Sequence, residues 1–282
     1  MINIDALITK ENEEFKLSDL DLEVLTFNVS APFYELEYQT VKNRSGRVKS
    51  GGRFNKKEIE VSGYLTVKSY ADYEKAKADI YAKIVDEKGY YLTQLIPISE
   101  MYEYEQPGQK QGEISTLNVQ HEAQEYRYRV INTGDVAFEF NGKTPTGLLY
   151  RFEFSFETIG MPFAETKPKN IKVTNSIPYK GTAVNSQLES PWYLKLTATQ
   201  AQKGDFYVQV GDKRFEHKSL TTINSGDEFQ LRGVETWLNK TTINDYTNYE
   251  HFELEPSKNG QVLISTDFKG TIEVIDLIEF YK

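Results

Sequence analysis

The chain contains no cysteine. That excludes disulfides, cysteine nucleophiles and thiolate metal sites. It also tilts the reading toward cytoplasmic synthesis, because secreted β proteins of this size often carry a disulfide. Histidine is scarce too: only His121, His217 and His251 occur, none in a metal-ligating spacing, so structural or surface roles and no metal site are expected. There is no P-loop, GxGxxG or GxSxG, so no cofactor is expected. No run is long and apolar enough for a membrane-spanning helix, and no membrane insertion is expected. The opening MINIDALITKENEEFKL lacks the basic start, apolar centre and small-residue cleavage site of a signal peptide. Positive charge is in deficit: 33 Lys and Arg stand against 42 Asp and Glu, a net charge of −9. An acidic chain is a poor general binder of nucleic acid, and no nucleic-acid partner is expected.

What is present favours sheets. The 282 residues are 39% hydrophobic and 27% charged, a globular composition with room for one large domain or two ordinary ones. Aromatics reach 13%, with 19 Tyr and 16 Phe, and aromatic side chains suit strands.

The rest of the chain is organised around Lys56–Gly89. Ile59, Val61, Leu65 and Val67 alternate with Glu58, Glu60, Ser62 and Thr66, and Gly63 interrupts the apolar face; this predicts a half-buried strand. The period then changes. Tyr73, Ala76, Ile80 and Ile84 fall on one helical stripe, with Ser69 as N-cap, Asp72 three residues on and Gly89 as a left-handed stop. This predicts a helix over about 69–88, packed on a sheet. No other stretch reads convincingly as helix.

Before it, Leu22–Val29 and Tyr34–Val41 read as strands. Seven cations then follow with no acid among them: Lys42, Arg44, Arg47, Lys49, Arg53, Lys56 and Lys57. Either this is a solvated loop, or it is a contact loop for an acidic surface, with Arg44, Arg47, Lys49 and Arg53 as candidate contacts. The loop lacks the interleaved aromatics that would stack bases. After the helix, Tyr90–Ile98 reads as a strand, and the aperiodic polar stretch 99–125 reads as a long exposed loop or hairpin. Tyr126–Ile131 and Asp135–Phe140 are strands, with a turn at Asn141-Gly142. Leu149–Glu157 alternates most cleanly, with Tyr150, Phe152, Phe154 and Phe156 on one face. The Pro- and Lys-rich stretch Gly160–Asn170 has little to bury and marks a boundary. Beyond about Ile171, short strands and frequent turns predict a β-sandwich. The expectation is a mainly β protein: residues 1–165 an α+β domain with a sandwich- or barrel-like sheet and one helix, and residues 166–282 a second β domain.

No catalytic residue stands out. Glu58/Glu60 and Glu153/Glu157 share strand faces, which admits a glycosidase pair, but charge on an outer strand face needs no such explanation. Trp192 and Trp237 are expected in the sandwich core. Tyr246 and Tyr249, in a polar stretch, are the candidates for stacking on a sugar.

The order of parts resembles a known family. EIEVSGYLTV followed by SYADYEKAKADIYAKI is similar to the N-terminal domain of the distal tail proteins of bacteriophages with long flexible tails. YRYRVINTGDVAFEF and LLYRFEFSFETIGMPF resemble that domain's closing strands. SIPYKGTAVNSQLESPWYLKLT, KGDFYVQVGDKRF, INSGDEFQL and FELEPSKNGQVLIST resemble the family's second, galectin-like β-sandwich. The resemblance spans nearly the whole chain. It implies a structural phage or prophage virion protein and not an enzyme. It further implies a homo-hexameric ring at the tail tip, built by the first domain, with the second projecting outward. Its partners would be other copies of itself, the tail tube protein and a tail-associated, lysin-type baseplate protein. The competing expectation is a carbohydrate-binding adhesin acting through the second domain.

Overall fold

The computed structural model describes residues 4–98, 120–134 and 136–282, in two compact units, Met1–Ala164 and Glu165–Lys282. The strands of the first unit are β1 (Asp5–Thr9), β2 (Glu14–Lys16), β3 (Leu22–Val29), β4 (Phe33–Gln39), β5 (Val48–Lys56) and β6 (Glu58–Val67). The helix α1 (Tyr70–Ile84) follows, then β7 (Tyr90–Pro97), β8 (His121–Ala123), β9 (Tyr128–Asn132), β10 (Ala137–Thr144) and β11 (Gly147–Thr158). Nine of these strands form one antiparallel sheet in the order β2-β1-β7-β9-β11-β6-β3, with β10 on β11 and β8 on β7. Among the described residues, β4 and β5 pair only with each other.

Period-two alternation sets the core. Ile59, Val61, Leu65 and Val67 of β6 are buried, as are Tyr150, Phe152, Phe154 and Phe156 of β11, its neighbour in the sheet. Gly63 breaks the apolar row for a steric reason. Leu25 makes a bulge in β3, which brings the Glu23 carbonyl to within 1.9 Å of where a Cβ on residue 63 would sit.

α1 packs on this sheet through Tyr73, Ile80 and Ile84. The Tyr73 ring stacks on Tyr150 at 3.9 Å and meets Phe138 edge-on. Ser69 caps the helix, its Oγ accepting from the Asp72 N–H at 3.2 Å and donating to the Asp72 carboxylate at 2.7 Å. The helix ends at Ile84, earlier than the expected stop at Gly89. Val85 leaves the helix in an extended conformation, and the Tyr90 hydroxyl donates to the freed Ile84 carbonyl at 2.8 Å. Gly89, at φ +68, instead makes the turn into β7, where a Cβ would strike Ile159 and the Val130 carbonyl.

Two further expectations change. Asn141-Gly142 is a bulge inside β10, and the chain turns instead after Thr144, whose Oγ1 accepts from the Thr146 and Gly147 N–H groups. Residues 99–119 of the expected long loop lie outside the described residues. The Pro- and Lys-rich stretch does bury something: Thr166 is 5% exposed, and Lys169–Val173 is an edge strand whose Lys169 pairs with buried Glu279 at 3.0 Å.

The second unit is a β-sandwich. One sheet runs, by strand, 169–173, 270–277, 193–198, 228–232, 235–238 and 241–242; the other runs 176–178, 261–266, 206–210 and 213–217. Both contribute to one core, including Trp192, Leu196, Phe206, Phe215, Phe229 and Val274. Trp192 is fully enclosed and donates its indole N–H to Asn185 at 2.9 Å. Trp237 is half-buried, not core: its neighbour Thr236 turns inward, and the indole donates to Glu235 at 3.2 Å.

Candidate functional site

The β4–β5 ribbon has no buried residue. Its register places Tyr34 opposite Phe54, Leu36 opposite Gly52 and Tyr38 opposite Lys49 on one face. Glu35–Arg53 and Glu37–Gly51 pair on the other. Every β4 residue is exposed, so Tyr34, Leu36 and Tyr38 form an apolar row with no core of described residues beneath it. At the root, Phe54 packs edge-on against buried Phe163 at 5.5 Å and against Tyr34 at 4.9 Å. Two bulges give β5 its extra residues, Ser50 and Asn55. Bulges increase the twist of a ribbon. Gly52 is required at its position, because a Cβ there would lie 2.7 Å from the Tyr34 ring and 2.8 Å from the Glu35 carbonyl.

The basic segment is therefore mostly strand. Only residues 40–47 form a loop, closed by the Arg44 N–H donating to the Val41 carbonyl at 3.2 Å, with Asn43 and Gly46 at positive φ. The four candidate cations are exposed but not gathered together. Arg47 lies over the Tyr38 ring at 4.4 Å and Lys49 over Tyr34 at 5.1 Å, on the apolar face. Arg53 is on the opposite face, paired with Glu35 at 3.3 Å, an exposed pair that contributes little to stability. Arg44 sits in the tip loop. At the root, Lys56 bridges Glu58 and Glu157, and these carboxylates raise its pKa. Lys57 is buried beside the Tyr128 ring, and burial pushes its ammonium below the ordinary value.

Sequence reasoning missed the apolar row. Tyr34, Leu36 and Tyr38 alternate with Glu35 and Glu37, as in any half-buried strand. Alternation shows that one face is apolar and leaves open what covers it.

Tyr246 and Tyr249 are 54% and 59% exposed. They flank Asn248, whose backbone and side chain cover the free edge of strand 213–217 through Glu216 and Arg214. Tyr249 stands at φ +54, an uncommon conformation for an aromatic residue. His217 is buried among Phe206 and Phe229, with Nδ1 2.6 Å from the Gly204 carbonyl; burial lowers its pKa.

The fold is that of a β-rich protein with one exposed two-stranded ribbon, unpaired among the described residues. The chain belongs to the phage tail protein RIFT-related domain family, whose model matches residues 14–157. Its fold is similar to that of the SPP1 Dit (gp 19.1) protein, described as a paradigm of the hub adsorption apparatus in phages infecting Gram-positive bacteria. That likeness has a TM-score of 0.63 at 12% identity and covers 98% of each chain. A chain of the phage P2 baseplate in its activated conformation with Ca also aligns, at 10% identity and TM-score 0.36, over 97% of this chain and 98% of that one. No curated protein matches in sequence. The resemblance to the distal tail proteins stands, as does the mainly β fold class.

Proposed function

We propose that the chain is a structural subunit of a ring-shaped hub at the distal tip of a phage tail, built from six copies and joining the tail tube to a baseplate protein. The observation that carries this reading is the β4–β5 ribbon: an apolar row and two strand edges with no partner strand among the described residues. Unpaired edges and exposed apolar rows invite another chain. A closed ring needs two different patches on each subunit. The ribbon supplies one, and Arg44, Arg47, Lys49 and Arg53 suit an acidic surface on a neighbour or a tail partner. The net charge of −9 makes a second copy such a surface. In this reading the ring comes from residues 1–165, and residues 166–282 project outward as a galectin-like domain.

The test is the mass of the full chain by light scattering after size exclusion, across a salt series. The protomer is 32.5 kDa, and a species six times heavier is expected. The triple variant Arg44→Glu, Arg47→Glu, Arg53→Glu should shift the population toward the monomer. Assembly unchanged in that variant would remove the cations from the interface. A chain that stays monomeric alone and with tail tube and baseplate partners would overturn the hub reading.

A further inference from the structure

The second unit carries a polar groove apart from the ribbon. It lies over strands 206–210 and 213–217, whose inward residues Phe206, Val208 and Phe215 belong to the core. The outward residues build the groove, which encloses about 450 Å3. The Arg214 guanidinium lies over the Tyr207 ring, 3.8 Å from its centre. Its Nε donates to Glu216 at 3.2 Å, and Lys218 binds the other oxygen of that carboxylate at 2.9 Å. Asp205 and Asp267 stand at the rim. Each has one oxygen held by a backbone N–H, from Ser219 at 2.9 Å and Tyr207 at 2.8 Å. Leu220, wholly exposed, lines the same groove.

This donor and acceptor set selects a ligand class. Three carboxylates outnumber two cations, and Glu216 already holds both cations, so an anion gains nothing here. An apolar ligand would leave the rim carboxylates and the guanidinium without their water. No group of described residues is suited to hold a metal ion. What remains available is the second oxygen of each rim aspartate as acceptor, the terminal guanidinium N–H groups as donors, and an apolar leucine. A sugar hydroxyl can donate to a carboxylate while accepting from a guanidinium, and a pyranose also has a C–H face for apolar contact. The volume falls in the range that holds small ligands.

We propose that this groove is a binding subsite for a neutral saccharide unit, with Arg214, Asp205 and Asp267 as its hydrogen-bonding residues and Leu220 as its apolar contact. The subsite is distinct from Tyr246 and Tyr249, which do not line the groove, and it does not depend on ring formation.

The experiment is saturation-transfer NMR on the full chain with glucose, galactose, mannose, rhamnose and N-acetylglucosamine, beside glucuronate and inorganic phosphate. Binding of at least one neutral sugar at millimolar concentration is expected, with glucuronate and phosphate weaker. Arg214→Ala should weaken that binding at least tenfold, and so should Leu220→Ser, a substitution at a fully exposed position that leaves the fold intact. Tyr249→Ala should leave it unchanged. The proposal is overturned if no neutral sugar binds, if glucuronate or phosphate binds more tightly, or if binding survives both groove variants or is lost in Tyr249→Ala. Light scattering on the same samples reads the oligomeric state separately.

Discussion

Leu36→Ser tests whether the β4 row is an assembly surface or part of a core. Leu36 sits mid-row on β4, between Tyr34 and Tyr38, and 42% of its surface is exposed. A side chain of its size presents roughly 200 Å2, so a neighbouring subunit would cover about 80 Å2 of it, worth about 2 kcal/mol at about 25 cal/mol per Å2. That is roughly 30-fold in the dissociation constant of each contact. In the proposed ring the contact repeats at every interface, so the monomer-to-ring midpoint should move to markedly higher protein concentration. The isolated subunit should barely notice, because substitution on an exposed strand changes stability by about 0.5 kcal/mol or less. The assays are light scattering over a concentration series and thermal melting of the dilute monomer. A melting temperature lower by many degrees with assembly unchanged would refute the reasoning, since it would mean that the row is covered within the subunit.

Two further predictions concern the fold. Gly63→Ala should lower the denaturant midpoint by the equivalent of about 3 kcal/mol or more, because the new Cβ meets the Glu23 carbonyl and the Phe152 ring in a packed sheet; a loss under about 0.5 kcal/mol would show that the β3 bulge does not press on β6. Burial raises the Tyr179 hydroxyl to about 12, so its share of stability is complete below pH 10, the ordinary tyrosine value, and is lost as pH rises through 12. Urea unfolding between pH 8 and 12 should therefore show a shallower decline for Tyr179→Phe than for the parent chain, and parallel curves would refute the assignment.

Much of the fold was legible because its signals are local. The four buried aromatics of β11 alternate without a break, and the Tyr73–Ile80–Ile84 stripe with its Ser69 cap defines a helix from sequence spacing. The errors fall where a distant contact overrides a local preference. Gly89 looked like a helix stop, yet the stop is set by the Tyr90 hydroxyl reaching the Ile84 carbonyl. Asn141-Gly142 looked like a hairpin turn, yet pairing with β11 continues through it as a bulge. Thr166 looked like linker, yet its hydroxyl accepts from the backbone N–H of Glu279, more than a hundred residues away.

The two surfaces were less legible, for a related reason. In β4, Tyr34, Leu36 and Tyr38 carry the alternation of a core strand; what distinguishes them is that no second layer of described residues lies beneath the ribbon, and a single sequence does not record missing neighbours. In the sandwich, Tyr207 and Arg214 are ordinary outward residues of two strands. They become a stack only because the antiparallel register sets Gln209 opposite Arg214, leaving Arg214 diagonal to Tyr207. The exposed tyrosines 246 and 249 were easier to single out, because a polar stretch predicts exposure directly. Exposure alone does not make a site. Asn248 between them is bonded to the sheet edge, which gives that segment a structural task, whereas Arg214, Asp205 and Asp267 keep hydrogen-bonding capacity that the fold does not consume. The groove is therefore the better place to look for a ligand, and the ribbon the better place to look for another chain.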